Sequence, residues 1–152
     1  MKVLLIEDDM GVAQMLESIV SGIGTVTWAK TWNQGVAEFS SCTYDAILLD
    51  LGLPDSGTQT TLSSIKSIKM NCPNTAVIVI TGQPMVTEEH ALKAGADAFI
   101  SKNNVMRPTR VIQLISSLVA SICDGSNDTV KHQLVLHEKA ATEVSEQFKK
   151  NE

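Results

Sequence analysis

Short apolar runs recur along the chain, and each stops at a polar residue. Val3-Leu4-Leu5-Ile6 runs into Glu7-Asp8-Asp9, and Ala46-Ile47-Leu48-Leu49 into Asp50. Val77-Ile78-Val79-Ile80 ends at Thr81-Gly82, and Ala98-Phe99-Ile100-Ser101 at Lys102. Runs this short, spaced by longer amphipathic stretches, predict buried parallel strands with helical crossovers. The pattern predicts strands at Lys2–Ile6, Thr25–Trp28, Asp45–Asp50, Ala76–Thr81 and Ala96–Ser101. Helices are predicted near Gly11–Ser21, Trp32–Ser41 and Gln59–Met70. Another is begun by Pro84 and stopped by Gly95, and a last one runs from Pro108 to about Cys123. Repeated strand–helix units make this an α/β fold, a doubly wound five-stranded parallel sheet.

Asp124-Gly125-Ser126-Asn127-Asp128 breaks the pattern, so a domain over 1–123 and a linker with a C-terminal helix over 124–152 are expected. Beyond the break, Val130, Leu134, His137, Ala141, Val144 and Phe148 recur with the 4-3-4-3-4 spacing of a heptad seam. That seam suits a homodimer contact, a helix packed back on its own domain, or a frayed tail. In the helix before it, Val111, Ile112, Leu114, Ile115, Leu118, Val119 and Ile122 cover about half the circumference, wider than the ~100° stripe that one sheet contact needs. The remaining side (Gln113, Ser116, Ser117, Ala120, Ser121) carries no charge. Cover on a second side, by the tail or another subunit, is the expectation.

Length and composition narrow the function. A chain of 152 residues with 43% hydrophobic content is a single globular domain with room for an appendage. The net charge is −5 and no basic cluster offsets it, so direct DNA binding is not expected. The longest apolar runs fall far short of a membrane span, and Met1-Lys2-Val3 enters a strand without a signal-peptide layout. A cytoplasmic protein without a membrane partner is expected. Cys42, Cys72 and Cys123 are widely spaced and form no CxxC pattern, which predicts three part-buried thiols and not a metal site.

In a doubly wound sheet the residues just past the carboxyl ends of the strands converge on one crevice. Glu7, Asp8 and Asp50 brought together there would repel one another, and a divalent cation offsets that. Oxygen donors without His or Cys point to Mg²⁺ (or Mn²⁺). The cation and Lys102 would attract a phosphoryl group, with Thr81 adding a hydroxyl. A carboxylate can itself be the nucleophile in phosphoryl transfer, and Asp50, central at the end of its strand, is the candidate.

These residues carry a resemblance. From about Met1 to Ser121 the chain resembles the receiver domain of two-component response regulators. The matching features are Glu7-Asp8, Asp50 in Asp45-Ala46-Ile47-Leu48-Leu49-Asp50, Leu53-Pro54, Thr81-Gly82, Ala94-Gly95-Ala96-Asp97 and Lys102, in that order and each at a strand boundary. The resemblance implies the flavodoxin-like strand order 2-1-3-4-5. It implies that Asp50 accepts phosphate from a histidine kinase, a phosphotransfer protein or a small phosphodonor. Asp8 would ligate Mg²⁺ directly and Glu7 through water, with Asp50 and the backbone carbonyl of Gly52 completing the protein ligands. Thr81 and Lys102 would bind phosphoryl oxygens, with Thr81 moving toward the phosphate. Phe99 stands where the family carries an aromatic that turns inward on activation, and output would use the face of the fourth helix, fifth strand and last helix. Three positions depart from the family pattern. Asn103-Asn104 follow Lys102 where Pro is usual, which predicts a looser loop; Gly57 sits one position early; and Gln83 lies two past Thr81, where residue type influences phosphate lifetime.

Other readings are weaker. Gly52-Leu53-Pro54-Asp55-Ser56-Gly57-Thr58 looks like a Walker loop, but no lysine precedes its Thr and Pro54 removes a backbone donor. A haloacid-dehalogenase-type phosphatase would need an acid two residues past Asp50, where Gly52 stands. The remaining alternative is a receiver fold that binds partners without a phosphate switch. Asp9 is either a third acid of the site or a solvated helix-start acid. Trp28, Trp32 and Tyr44 read as packing residues, and His90, His132 and His137 as surface or seam residues. The stretch from Asp124 to Glu152 is too short for a winged helix or an enzyme, so output through a partner protein, a phosphorelay step or self-association is expected.

Overall fold

The sheet owes its form to strands that are apolar on both faces. The computed structural model describes residues 1–41, 43–104 and 107–125. Its strands are β1 (Lys2–Ile6), β2 (Thr25–Ala29), β3 (Ala46–Leu49), β4 (Ala76–Thr81) and β5 (Ala98–Ser101), in the order β2-β1-β3-β4-β5. Every pairing is parallel, with Leu5 beside Trp28 and Leu48, Leu49 beside Val79, and Thr81 beside Ser101. β3 and β4 are buried at every position. The edge strand β2 is only partly buried until Ala29, and its composition alternates accordingly.

Alternation divides the core into two layers. Val3, Leu5, Leu48, Ile78 and Ile80 face one way, against α1 (Met10–Val20) and α5 (Pro108–Cys123). Leu4, Ile6, Ile47, Leu49, Val77 and Val79 face the other, with α2 (Trp32–Phe39), α3 (Thr58–Asn71) and α4 (Glu88–Lys93) over them. Gly35 lets α2 approach the sheet closely, because a Cβ there would lie 2.5 Å from Ile6 Cδ1. At the lower end of the sheet Lys69 of α3 pairs with the buried Asp97 at 2.8 Å, and the same carboxylate oxygen accepts from the Val77 N–H.

Most predicted elements are present within a residue or two. The exceptions have local causes. Pro84 does not open α4: Gln83, Pro84, Met85 and Val86 form a turn closed by the Val86 N–H on the Gln83 carbonyl, with Pro at its favoured second position. The helix begins at Glu88, where Thr87 and His90 cap each other reciprocally. β5 begins at Ala98 instead of Ala96, after Gly95 has ended α4 with φ +103°. Lys102–Asn104 forms a 3₁₀ turn that the sequence did not foretell. Cys72 is disulfide-bonded, which corrects the expectation of three thiols, while Cys123 is free and exposed.

On α5, Val111, Ile115, Leu118 and Ile122 are buried and Ile112, Leu114 and Val119 half-buried, whereas Gln113, Ser117 and Ala120 are exposed. The heptad seam, one of the two covers expected for this helix, and His132 beside it lie outside the described residues. No helix among the described residues is long and apolar enough to cross a membrane.

Candidate functional site

Four strand ends meet at one pocket. β1 delivers Glu7 and Asp8, β3 delivers Asp50, β4 delivers Thr81, and β5 delivers Lys102. Glu7, Asp8 and Asp50 each offer a carboxylate oxygen within 4.8 Å of the others; Glu7 and Asp50 are buried and Asp8 is exposed. Lys102 Nζ donates to Glu7 Oε1 at 2.8 Å and to Asp50 Oδ2 at 2.9 Å. Its stem lies over Gly82, where a Cβ would sit 3.6 Å from Lys102 Cδ. The neighbouring carboxylates and that glycine aim the lysine.

The remaining oxygens show what the pocket still needs. Asp50 Oδ1 accepts the Leu51 N–H at 2.7 Å, and Glu7 Oε1 also accepts the Asp9 N–H at 3.1 Å. Glu7 Oε2 is buried without a hydrogen-bond partner. Burial pushes the Glu7 carboxyl up and the nearby Asp50 charge adds to that, while the Lys102 bond pulls it down; the net direction is up. Burial works against the Lys102 charge, but the bonds to Glu7 and Asp50 outweigh it and hold its pKa above the usual lysine value. One ammonium thus faces three carboxylates. The excess negative charge, the hard oxygen donors and the orphaned Glu7 oxygen fit a small divalent cation such as Mg²⁺.

The other predicted residues are placed differently. Asp9 is not a third pocket acid, because its Oδ1 accepts the Val12 N–H at 2.9 Å as the cap of α1. Thr81 is buried and its hydroxyl oxygen accepts the Gln83 N–H at 3.2 Å. Gly52 stands beside the Asp50 carboxylate, where a Cβ would lie 3.5 Å from Asp50 Oδ2 and 2.9 Å from Gln83 Nε2. The Gln83 amide therefore occupies the space that a side chain at 52 would fill. Phe99 lies outside the pocket, half-buried in the wall of a cavity of about 180 Å³ with Arg107, Val111 and Leu114.

Comparison with known proteins decides the family. The family model for the response regulator receiver domain matches residues 3–115. This chain is a response regulator receiver domain. It is 34% identical over 104 residues to the cell cycle transcriptional regulator CtrA of Caulobacter vibrioides, covering 67% of this chain and 44% of the relative. It is 30% identical over 122 residues to the transcriptional regulatory protein QseB of Escherichia coli O157:H7, covering 79% of this chain and 52% of the relative. The receiver thus spans about half the length of these curated relatives. Among solved structures, a CheY-like receiver domain from Methanospirillum hungatei superposes with a TM-score of 0.70 at 23% identity, covering 82% of this chain and 97% of that one. The family is one of signalling regulators of two-component systems and not of classical enzymes.

Gln83, two past Thr81, covers Gly52. Two further residues bear on the receiver's pocket that the sequence pattern does not point to. The Trp28 indole N–H donates to the Glu7 carbonyl at 2.8 Å. Asp55 accepts the N–H groups of Trp32 at 2.8 Å and Asn33 at 2.9 Å, tying the loop after Asp50 to the start of α2. These bonds, led by the Asn33 N–H, hold the Asp55 carboxyl below its ordinary value of 3.8. A depressed carboxyl contributes stability that is present above 3.8 and lost as pH falls through its folded value. Asp55→Ala should therefore melt below wild type at neutral pH, and the gap should narrow in acid below 3.8. A gap independent of pH in thermal unfolding would remove the charged cap from the account.

Proposed function

We propose that this receiver accepts a phosphoryl group on Asp50 and signals the change through protein contacts. The observation that carries the reading is the acceptor geometry: a buried carboxylate oxygen bonded to Lys102, beside two further acids, at the end of the central β3. An Asp50 oxygen attacks the phosphorus of a histidine kinase's or phosphotransfer protein's phosphohistidine, or of an acyl phosphate. The new oxygen–phosphorus bond forms as the bond to the donor breaks, and the donor leaves with that electron pair. Asp8, Glu7, Asp50 and the Gly52 carbonyl would hold Mg²⁺, which neutralises phosphoryl charge when bound. Lys102 exchanges its carboxylate partner for a phosphoryl oxygen, and the Thr81 hydroxyl donates to another. Phe99, beside the cavity between β5 and α5, would relay the change to the face formed by α4, β5 and α5. Downstream output is a protein partner; the transcriptional regulators among its relatives are named for what those longer proteins do.

The test uses Mg²⁺ with acetyl phosphate, or with a beryllofluoride salt. Wild type should gain one phosphoryl group by intact mass and show a tryptophan fluorescence change with beryllofluoride. Asp50→Asn should show neither. Identical behaviour of the two proteins would leave a receiver fold that binds partners without a phosphate switch.

A further inference from the structure

We propose that Trp28 is a positioning residue for the metal-binding turn, its indole N–H standing in for a strand hydrogen bond that the sheet cannot supply. The inference rests on the reading of Glu7 and Asp8 as Mg²⁺ ligands. β1 and β2 run in register with Leu5 beside Trp28 and Ile6 beside Ala29. The ladder reaches one step further, where the Glu7 N–H donates to the Ala29 carbonyl at 3.0 Å. A continuing parallel strand would next offer an N–H to the Glu7 carbonyl. In this register that N–H would be Thr31's, but β2 ends at Ala29 and Thr31 serves as the N-cap of α2.

The Trp28 indole fills the gap, donating to the Glu7 carbonyl at 2.8 Å. That carbonyl belongs to the planar peptide between Glu7 and Asp8. Fixing its direction fixes how the two carboxylates of β1's end diverge, Glu7 into the core and Asp8 to the open side. The indole is itself held from outside by Lys30 Nζ, 4.7 Å from the ring centroid. A phenyl ring could fill the same half-buried space against the core, but could not donate. The N–H is the part of this side chain that packing does not account for.

Trp28→Phe separates the two roles. In calorimetric titration with MgCl₂, its affinity should fall by about 3- to 10-fold, the worth of one hydrogen bond. With acetyl phosphate, the Mg²⁺ concentration for half-maximal rate should rise by the same factor while the rate at saturating Mg²⁺ stays at the wild-type value. A folded Trp28→Phe protein with wild-type Mg²⁺ affinity overturns the proposal. Should that variant fail to fold, Trp32→Phe leaves Trp28 as the sole tryptophan. Its emission should then shift with MgCl₂ and saturate with the calorimetric isotherm; an unchanged emission also overturns the proposal. A wild-type protein that binds no Mg²⁺ refutes instead the assignment of Glu7 and Asp8 as ligands.

Discussion

Lys102→Ala should unfold more easily than wild type without Mg²⁺, yet bind Mg²⁺ at least as tightly. Lys102 Nζ sits between Glu7 Oε1 and Asp50 Oδ2, and those two side chains are 1% and 5% exposed. Removing one partner from a buried pair costs about 3–5 kcal/mol, because the other charge is left without compensation. Glu7 offsets part of that by taking up a proton, since burial already raises its carboxyl; about 2–3 kcal/mol is the expected loss. The sign with pH follows from the lysine's raised pKa. On the lysine's side its contribution is full below the ordinary value of 10.5 and lost as pH rises through the higher folded value, so the two proteins should converge in strong alkali. Mg²⁺ should restore stability, because a divalent cation compensates the same carboxylates and no longer competes with an ammonium. The beryllofluoride response should weaken, for the phosphoryl mimic has lost its cation. Urea unfolding with and without Mg²⁺, together with calorimetry, reads all of this. A folded variant that no longer binds Mg²⁺ would mean that Lys102 has been given the wrong role.

Lys102 also marks the boundary of what the chain discloses as a string of letters. The strands were legible because they are buried on both faces, so Val77-Ile78-Val79-Ile80 could hardly be anything else. The acids were legible because parallel topology gathers strand ends. Asn103 in place of a proline predicts a looser loop after Lys102, whereas the contacts that aim this side chain come from Glu7, Asp50 and Gly82, none of them adjacent in sequence. Trp28 and Asp55 were illegible for a related reason. Each bond links residues more than twenty positions apart, Trp28 to Glu7 and Asp55 to Trp32 and Asn33, and leaves no periodicity to detect. The start of α4 was misread because two start signals compete there. Pro84 is equally at home in a turn, and the reciprocal cap uses His90 where the usual pattern has Glu or Gln.

Lys69→Met should cost more stability than Lys102→Ala and leave the pocket's chemistry alone. Lys69, in the last turn of α3, donates to Asp97 Oδ2 and to the Thr75 carbonyl, each at 2.8 Å. The Asp97 side chain is 1% exposed, and its other oxygen, Oδ1, is buried without a hydrogen-bond partner. The carboxylate already sits at the limit of what its surroundings compensate, and losing the ammonium would leave only the Val77 N–H on Oδ2. About 3–5 kcal/mol is expected from urea unfolding, a large share of a small domain's stability. Asp97→Asn removes the charge that Lys69 serves, so the double variant should cost less than the two single changes added together. A double-mutant cycle that closes additively would show that the pair is not coupled in the folded state. Lys69 and Asp97 stand at the opposite end of the sheet from Asp50, because Asp97 precedes β5 and Lys102 follows it. Phosphorylation by acetyl phosphate and Mg²⁺ affinity, measured where the variant is still folded, should therefore match wild type. The two lysines divide the labour of the sheet's two ends, Lys69 compensating the buried Asp97 and Lys102 the carboxylate proposed to accept the phosphoryl group.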